Sequence, residues 1–102
     1  MLTKEAIQKC KILIVDDLKT NIFIIKKMLQ SGGYANIRAI QDPREAVSTY
    51  LQFKPDIVLL DLMMPYLDGF EVLKALRQCE PTGILSVIVL TANDDMYNRN
   101  RA

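Results

Sequence analysis

Histidine is absent from this chain of 102 residues, and with it go the commonest general base and the commonest metal ligand. Whatever chemistry the chain performs must use carboxylates, hydroxyls and backbone groups. Cysteine is scarce: Cys10 and Cys79 are far apart and in no metal-ligand spacing, so they read as reduced, partly buried thiols. No apolar run approaches the roughly 20 residues that cross a bilayer. The opening MLTKEAIQKC lacks the apolar stretch of a secretory signal, which makes the cytoplasm the expected address. An excess of one charge is missing too. Thirteen basic side chains against 12 acidic ones leave a net +1, which argues against bulk attraction to nucleic acid or to a membrane surface.

What remains is an ordinary globular balance, 50% apolar and 25% charged, at a length that suits one domain. Three uninterrupted β-branched runs, KILIV (11–15), DIVLL (56–60) and SVIVL (86–90), have the character of parallel strands buried on both faces. A fourth segment, NIRAI (36–40), alternates and suits an edge strand. Helical periodicity fills the gaps. From Thr20 to Gln30 the spacing puts Ile22, Ile25, Met28 and Leu29 on one stripe, with Gly32-Gly33 ending it. Asp42-Pro43-Arg44-Glu45 has the form of a helix start, with Asp as cap, Pro at the first position and Glu three after the cap. That helix should reach about Phe53, because Pro55 disfavours helical geometry at Lys54. Asp68 can cap a third helix with Phe70, Val72, Leu73 and Leu76 inward, ending near Cys79. The order β-α-β-α-β-α-β, joined by short connections, predicts an α/β domain with a parallel sheet covered on both faces.

In open sheets of this kind the ligand site lies beyond the carboxyl ends of the strands, where strand order switches. The first strand ends in Asp16-Asp17, the third in Asp61, the fourth in Thr91-Ala92. If the first and third strands are neighbours, three carboxylates converge beside a hydroxyl. Such like charges need a cation or a held proton, and a hard divalent ion that keeps several waters, Mg²⁺, fits best. Asp61 is then the candidate nucleophile, attacking phosphorus to give an acyl phosphate, with Thr91 hydrogen-bonding a phosphoryl oxygen. Singly, each feature has a plainer reading. An aspartate at a strand end is commonly a helix cap, Thr91 can satisfy a backbone group, and Lys19 reads as a solvated loop lysine. Asn93 can position water or cap the final helix. Met64 reads as core packing and Met63 as pocket rim; Arg99 and Arg101 read as a solvated helix face. Three features at three strand ends, in this order, carry the weight together.

ILIVDD, PDIVLLDLMMPYLDGFEVLKALR and VIVLTA resemble the receiver domain of bacterial two-component response regulators, from Lys11 onward. The resemblance implies a flavodoxin-like (CheY-like) sheet of order 2-1-3-4-5 and a phospho-accepting aspartate at Asp61. It implies Mg²⁺ held directly by Asp17 and Asp61, largely through water by Asp16, and by the backbone carbonyl of Met63. Thr91 matches the hydroxyl that reports phosphorylation and Ala92 the small residue that leaves the phosphoryl group room, while Pro65, Asp68 and Gly69 match the turn after the acceptor. The implied donor is a phosphohistidine on a sensor histidine kinase or phosphotransfer protein, or a small acyl phosphate. Such a domain is not an enzyme in the usual sense; it catalyses only its own phosphorylation.

The likeness is incomplete. Receivers continue into a fifth strand, ending in Lys-Pro, and a fifth helix, whereas this sequence has no lysine after Lys74 and stops inside the helix that follows the fourth strand. Tyr97 lies too early for the aromatic of that fifth strand. The expectation is therefore residues 1–10 as an N-terminal extension and 11–102 as a receiver truncated at its C-terminus, with sheet order 2-1-3-4. Loss of the lysine should slow phosphoryl transfer. VIVL should form an exposed apolar edge, and one sheet face beside the first helix should lose cover, which favours a homodimer. The competing readings are a non-phosphorylated interaction module that binds through that edge and an aspartate-nucleophile phosphatase of the haloacid dehalogenase type. The latter wants D-x-D after its first strand, and ILIVDDLKT has none. Neither direct nucleic-acid binding nor membrane association is expected.

Overall fold

The computed structural model describes residues 3–61, 69–80 and 85–90. Its elements are α1 (Lys4–Lys9), β1 (Lys11–Val15), α2 (Lys19–Ser31), β2 (Asn36–Ile40), α3 (Ala46–Phe53), β3 (Ile57–Asp61), α4 (Gly69–Cys79) and β4 (Val87–Leu90). The strands form one parallel sheet in the order β2-β1-β3-β4, as the sequence predicts. β1 and β3, the two apolar runs at the centre, are buried along almost their whole length. NIRAI lies at an edge.

Alternate residues of each strand feed two separate cores. Leu13, Val15, Val58 and Leu60 face Ala46 and Tyr50 of α3 and Val72 and Leu76 of α4. Ile12, Ile14 and Leu59 face the other way, onto Ile22 of α2, with Ile25, Leu29 and Tyr34 around them. Each fully buried aliphatic side chain contributes roughly 1.5–3 kcal/mol, and the side-chain period of two in β1 supplies both cores at once.

Two inward expectations fail. Met28 is 67% exposed and Phe70 63% exposed. With about 100° of rotation per residue, Ile22, Ile25 and Leu29 already define the buried stripe of α2, and Met28 falls well off it. Phe70 lies two residues before Val72, nearly opposite the Val72–Leu76 face. Asp42 does cap the next helical segment with Pro43 at its first position, although the segment opens as a 3-10 turn. The Asp42 carboxylate accepts the Arg44 N–H (2.9 Å) and pairs with the Arg44 guanidinium (2.8 Å), and Pro43–Glu45 forms a 3-10 turn ahead of α3. α3 does end at Phe53: Lys54 takes a left-handed φ of 52° while its N–H still reaches the Tyr50 carbonyl (2.8 Å). β3 starts one residue later than DIVLL suggests, because Asp56 is occupied in tying the strand ends together. Its carboxylate accepts the Lys11 N–H (2.8 Å), and its own N–H donates to the Lys11 carbonyl (2.8 Å). Helix α1 was not foreseen; Thr3 caps it by accepting the Ala6 N–H. Both cysteines are half-buried free thiols.

Among the described residues β4 is the other outer strand. The Val58 N–H donates to the Ser86 carbonyl (3.0 Å), and the register sets Val58 beside Val87 and Leu60 beside Val89. In a parallel ladder this turns the polar groups of Ile88 toward β3 and those of Val87 and Val89 outward. Ile88 (53%) and Val89 (42%) are exposed on opposite faces of the strand, as expected for VIVL. Ile88 stands beside Leu59, on the face that α2 covers only in part.

Candidate metal and phosphoryl site

The switch in strand order falls between β1 and β3, which pair directly although α2, β2 and α3 separate them in the chain. Val15 sits beside Leu60, so the residues that follow, Asp16 and Asp61, emerge at the same level of the sheet. Asp16, Asp17 and Asp61 come together there, each offering a carboxylate oxygen within 4.8 Å of the others. Asp16 (2% exposed) and Asp61 (6% exposed) are buried, while Asp17 is half-buried.

The Asp16 carboxylate accepts the Leu18 N–H (2.9 Å), an Asx-type turn that bends the chain out of β1 and into α2. Its own N–H donates to the Ile40 carbonyl (3.1 Å), fixing it to the end of β2. Burial pushes the Asp16 carboxyl above its ordinary range; the Asp61 and Asp17 charges add to this, while hydrogen bonds from the Leu18 N–H and the Asn21 side chain oppose it. The Gln41 amide donates to the Asp17 carbonyl (3.3 Å) and holds the next residue.

This donor set passes the test for a hard cation. All three groups are oxygen donors, they are close together, two are buried, and the charges that act on Asp16 have its own sign. Sequence reasoning brought Asp16, Asp17 and Asp61 to one place correctly. It missed Asn21 and Gln41, which support the acidic residues; the only signal for Asn21 was a short polar side chain in the first turn of α2, on the side of Asp16. Lys19 is exposed and lines a shallow apolar pocket on α2 with Thr20, Phe23 and Ile24. Met63, Met64, Pro65, Asp68, Thr91, Ala92, Asn93, Tyr97, Arg99 and Arg101 lie outside the described residues. Among the described residues no helix is long and apolar enough to cross a membrane.

A parallel α/β sheet of order 2-1-3-4 with an acidic pocket at its switch point defines the flavodoxin-like class. Within that class the model of the response regulator receiver domain matches residues 12–102. The chain is 38% identical over 87% of its length to the alkaline phosphatase synthesis transcriptional regulatory protein PhoP of Bacillus subtilis, covering 36% of that protein. It is 36% identical to protein PilH of Pseudomonas aeruginosa, over 82% of this chain and 69% of PilH. The receiver domain of Francisella response regulator 1452 superposes with a TM-score of 0.71 at 32% identity, covering 91% of this chain and 74% of that one. This chain belongs to the response regulator receiver family, whose domains are phospho-accepting signalling modules rather than classical enzymes. It spans about a third of the length of PhoP.

Proposed function

We propose that Asp61 accepts a phosphoryl group in an Mg²⁺-dependent reaction, from a phosphohistidine on a sensor kinase or phosphotransfer protein or from a small acyl phosphate. The observation that carries this is the convergence of Asp16, Asp17 and Asp61 within 4.8 Å at the carboxyl ends of β1 and β3, in a chain of the receiver family. An Asp61 carboxylate oxygen forms the new O–P bond as the donor's P–N or P–O bond breaks, leaving an acyl phosphate; a histidine donor's departing imidazole takes up a proton. Asp16, Asp17 and Asp61, with the Met63 carbonyl, would hold the metal. Mg²⁺, when bound, supplies the positive charge that neutralises phosphoryl oxygens. Asp16 is oriented by the Leu18 N–H and the Asn21 side chain, which favour its charged form against the effect of burial. Thr91 and Ala92 are assigned to the phosphoryl group's hydrogen bond and clearance. The receiver domain is taken as residues 11–102, residues 1–10 being an N-terminal extension, and the cytoplasm as its compartment.

Intact mass after incubation with a small acyl phosphate and Mg²⁺ tests the proposal, run beside Asp61→Asn. Wild type should gain one phosphoryl group and Asp61→Asn none. A gain in both would move the acceptor elsewhere, and a gain in neither would count against autophosphorylation. A second reading, self-association through the outer strand, is favoured by the exposure of Ile88 and Val89.

A further inference from the structure

We infer that the outer edge of β2 takes an extended acidic segment of a partner protein as an added strand, with a carboxylate of that segment seated on Arg38. The inference goes beyond the acceptor assignment and uses nothing of the acidic site.

β2 bounds the sheet on the side away from β4, so a strand added beyond β4 would leave it at the edge. The Ile40 carbonyl accepts the Asp16 N–H (3.1 Å), which turns the polar groups of Ile40, and by alternation those of Arg38, toward β1. Ile37 and Ala39 therefore turn N–H and C=O outward, and among the described residues no strand lies beyond them. The edge is held at both ends. The Asn36 amide donates to the Gln8 carbonyl (3.1 Å), and the Gln41 amide to the Asp17 carbonyl (3.3 Å). A strand already fixed in this way loses little freedom on receiving another.

Charge selects the occupant. Ile40 packs toward the α3 core, and Ile37 and Ala39 toward the α2 core, so Arg38 stands on the α3 side. Its guanidinium lies 4.6 Å from the Phe53 ring. Lys11 reaches the same ring (5.9 Å) while its ammonium donates to the Phe53 carbonyl (3.3 Å). Among the described residues neither of these side chains pairs with a carboxylate. The ring steadies the guanidinium and leaves its N–H edge open to an anion. A second copy is a poor occupant, because pairing two β2 strands about their centres sets Arg38 against Arg38. An acidic strand suits it. Laid antiparallel, such a strand exchanges both hydrogen bonds at Ile37 and at Ala39, and its residue opposite Arg38 falls in the closer, non-bonded pair. A glutamate there meets the guanidinium. Its two neighbours in the segment lie on the other face beside Ile37 and Ala39, where apolar side chains extend the α2 core. The pattern recognised is apolar–acidic–apolar.

Amide NMR of the nitrogen-labelled chain, titrated with the end-capped peptide Thr-Thr-Val-Glu-Val-Thr-Thr, tests this. The amides of Ile37 and Ala39 should shift and gain protection from exchange. The same peptide with lysine in place of its glutamate should bind about tenfold more weakly. Arg38→Glu, at an exposed side chain, should reverse that preference with an unchanged circular dichroism spectrum. Ala39→Pro removes an outward N–H and should abolish the shifts; the charge swap decides the matter alone if that variant does not fold. Asp61→Asn should bind like wild type, which separates this inference from the acceptor assignment. Absence of binding would overturn the inference, as would binding that ignores the charge swap. Shifts at Phe23 and Ile24 instead would overturn it in favour of α2, and shifts at Ile37 and Ala39 that follow protein concentration alone would do so in favour of a second copy.

Discussion

Tyr50 shows how far one residue's surroundings reach. It is buried in the core between α3 and α4 with its hydroxyl donating to the Glu80 carboxylate (2.8 Å). Burial first, and then the Glu80 hydrogen bond and charge, push its phenol from 10.0 up to about 12. A folded-state acid with a raised pKa keeps its proton longer than the unfolded chain does, so stability falls as pH rises between those two values. Alkaline unfolding should therefore steepen from pH 10 to about 12, and Tyr50→Phe should flatten that stretch of the pH–stability curve. The acidic site is also a matter of single residues, and there the sequence was most informative. Asp16, Asp17 and Asp61 are legible because each ends an apolar run, and a strand's end is fixed by its pattern. Asn21 and Gln41 are not, since their roles depend on how α2 and β2 meet the end of β1.

Elements are decided at their boundaries by backbone conformation, and two boundaries here can be set against each other. Gly33 has a φ of 97° at the end of α2, and a methyl group there would meet only Ile7 at 3.5 Å, an ordinary contact. Gly33→Ala should then destabilise by about 1–2 kcal/mol through backbone strain alone. Lys54 is left-handed without being glycine. Lys54→Gly should stabilise by about 0.5 kcal/mol, the relief of strain being partly offset by the greater freedom of glycine in the unfolded chain. Chemical denaturation of the two variants should give shifts of opposite sign. Helix faces were read less well than helix ends. Ile22, Ile25 and Leu29 lie inward as their spacing says, but Met28 and Phe70 do not. Both are apolar, but the rotation of about 100° per residue carries them off the faces that Ile22 and Leu29, and Val72 and Leu76, define.

At the level of the whole molecule, three carboxylates at the end of the central strand pair set a standing electrostatic cost against two apolar cores. A cation that binds only the folded state relieves it by mass action, worth about 2.7 kcal/mol at a hundredfold excess over the dissociation constant. Saturating Mg²⁺ should raise the thermal midpoint of wild type. Asp16→Asn, which keeps an oxygen for the Leu18 N–H, should show a smaller rise from a higher metal-free midpoint, and calorimetry with and without Mg²⁺ measures both. The sheet order was legible because four apolar runs separated by helices leave few right-handed arrangements. The sequence could not show that Val87 and Val89, rather than Ile88, face outward, since that parity is set only when β4 docks on β3.

The pairing of β1 with β3 also sets a timetable. Asp16 and Asp17 leave the ribosome well before Asp61, and α2, β2 and α3 must be made before the second half of the cation site exists. Closing so long a loop is the slow step in assembling a parallel centre. A growing chain can bring its three carboxylates together only after that closure, and cation uptake by stalled nascent chains of increasing length would time the moment at which the centre of the sheet shuts.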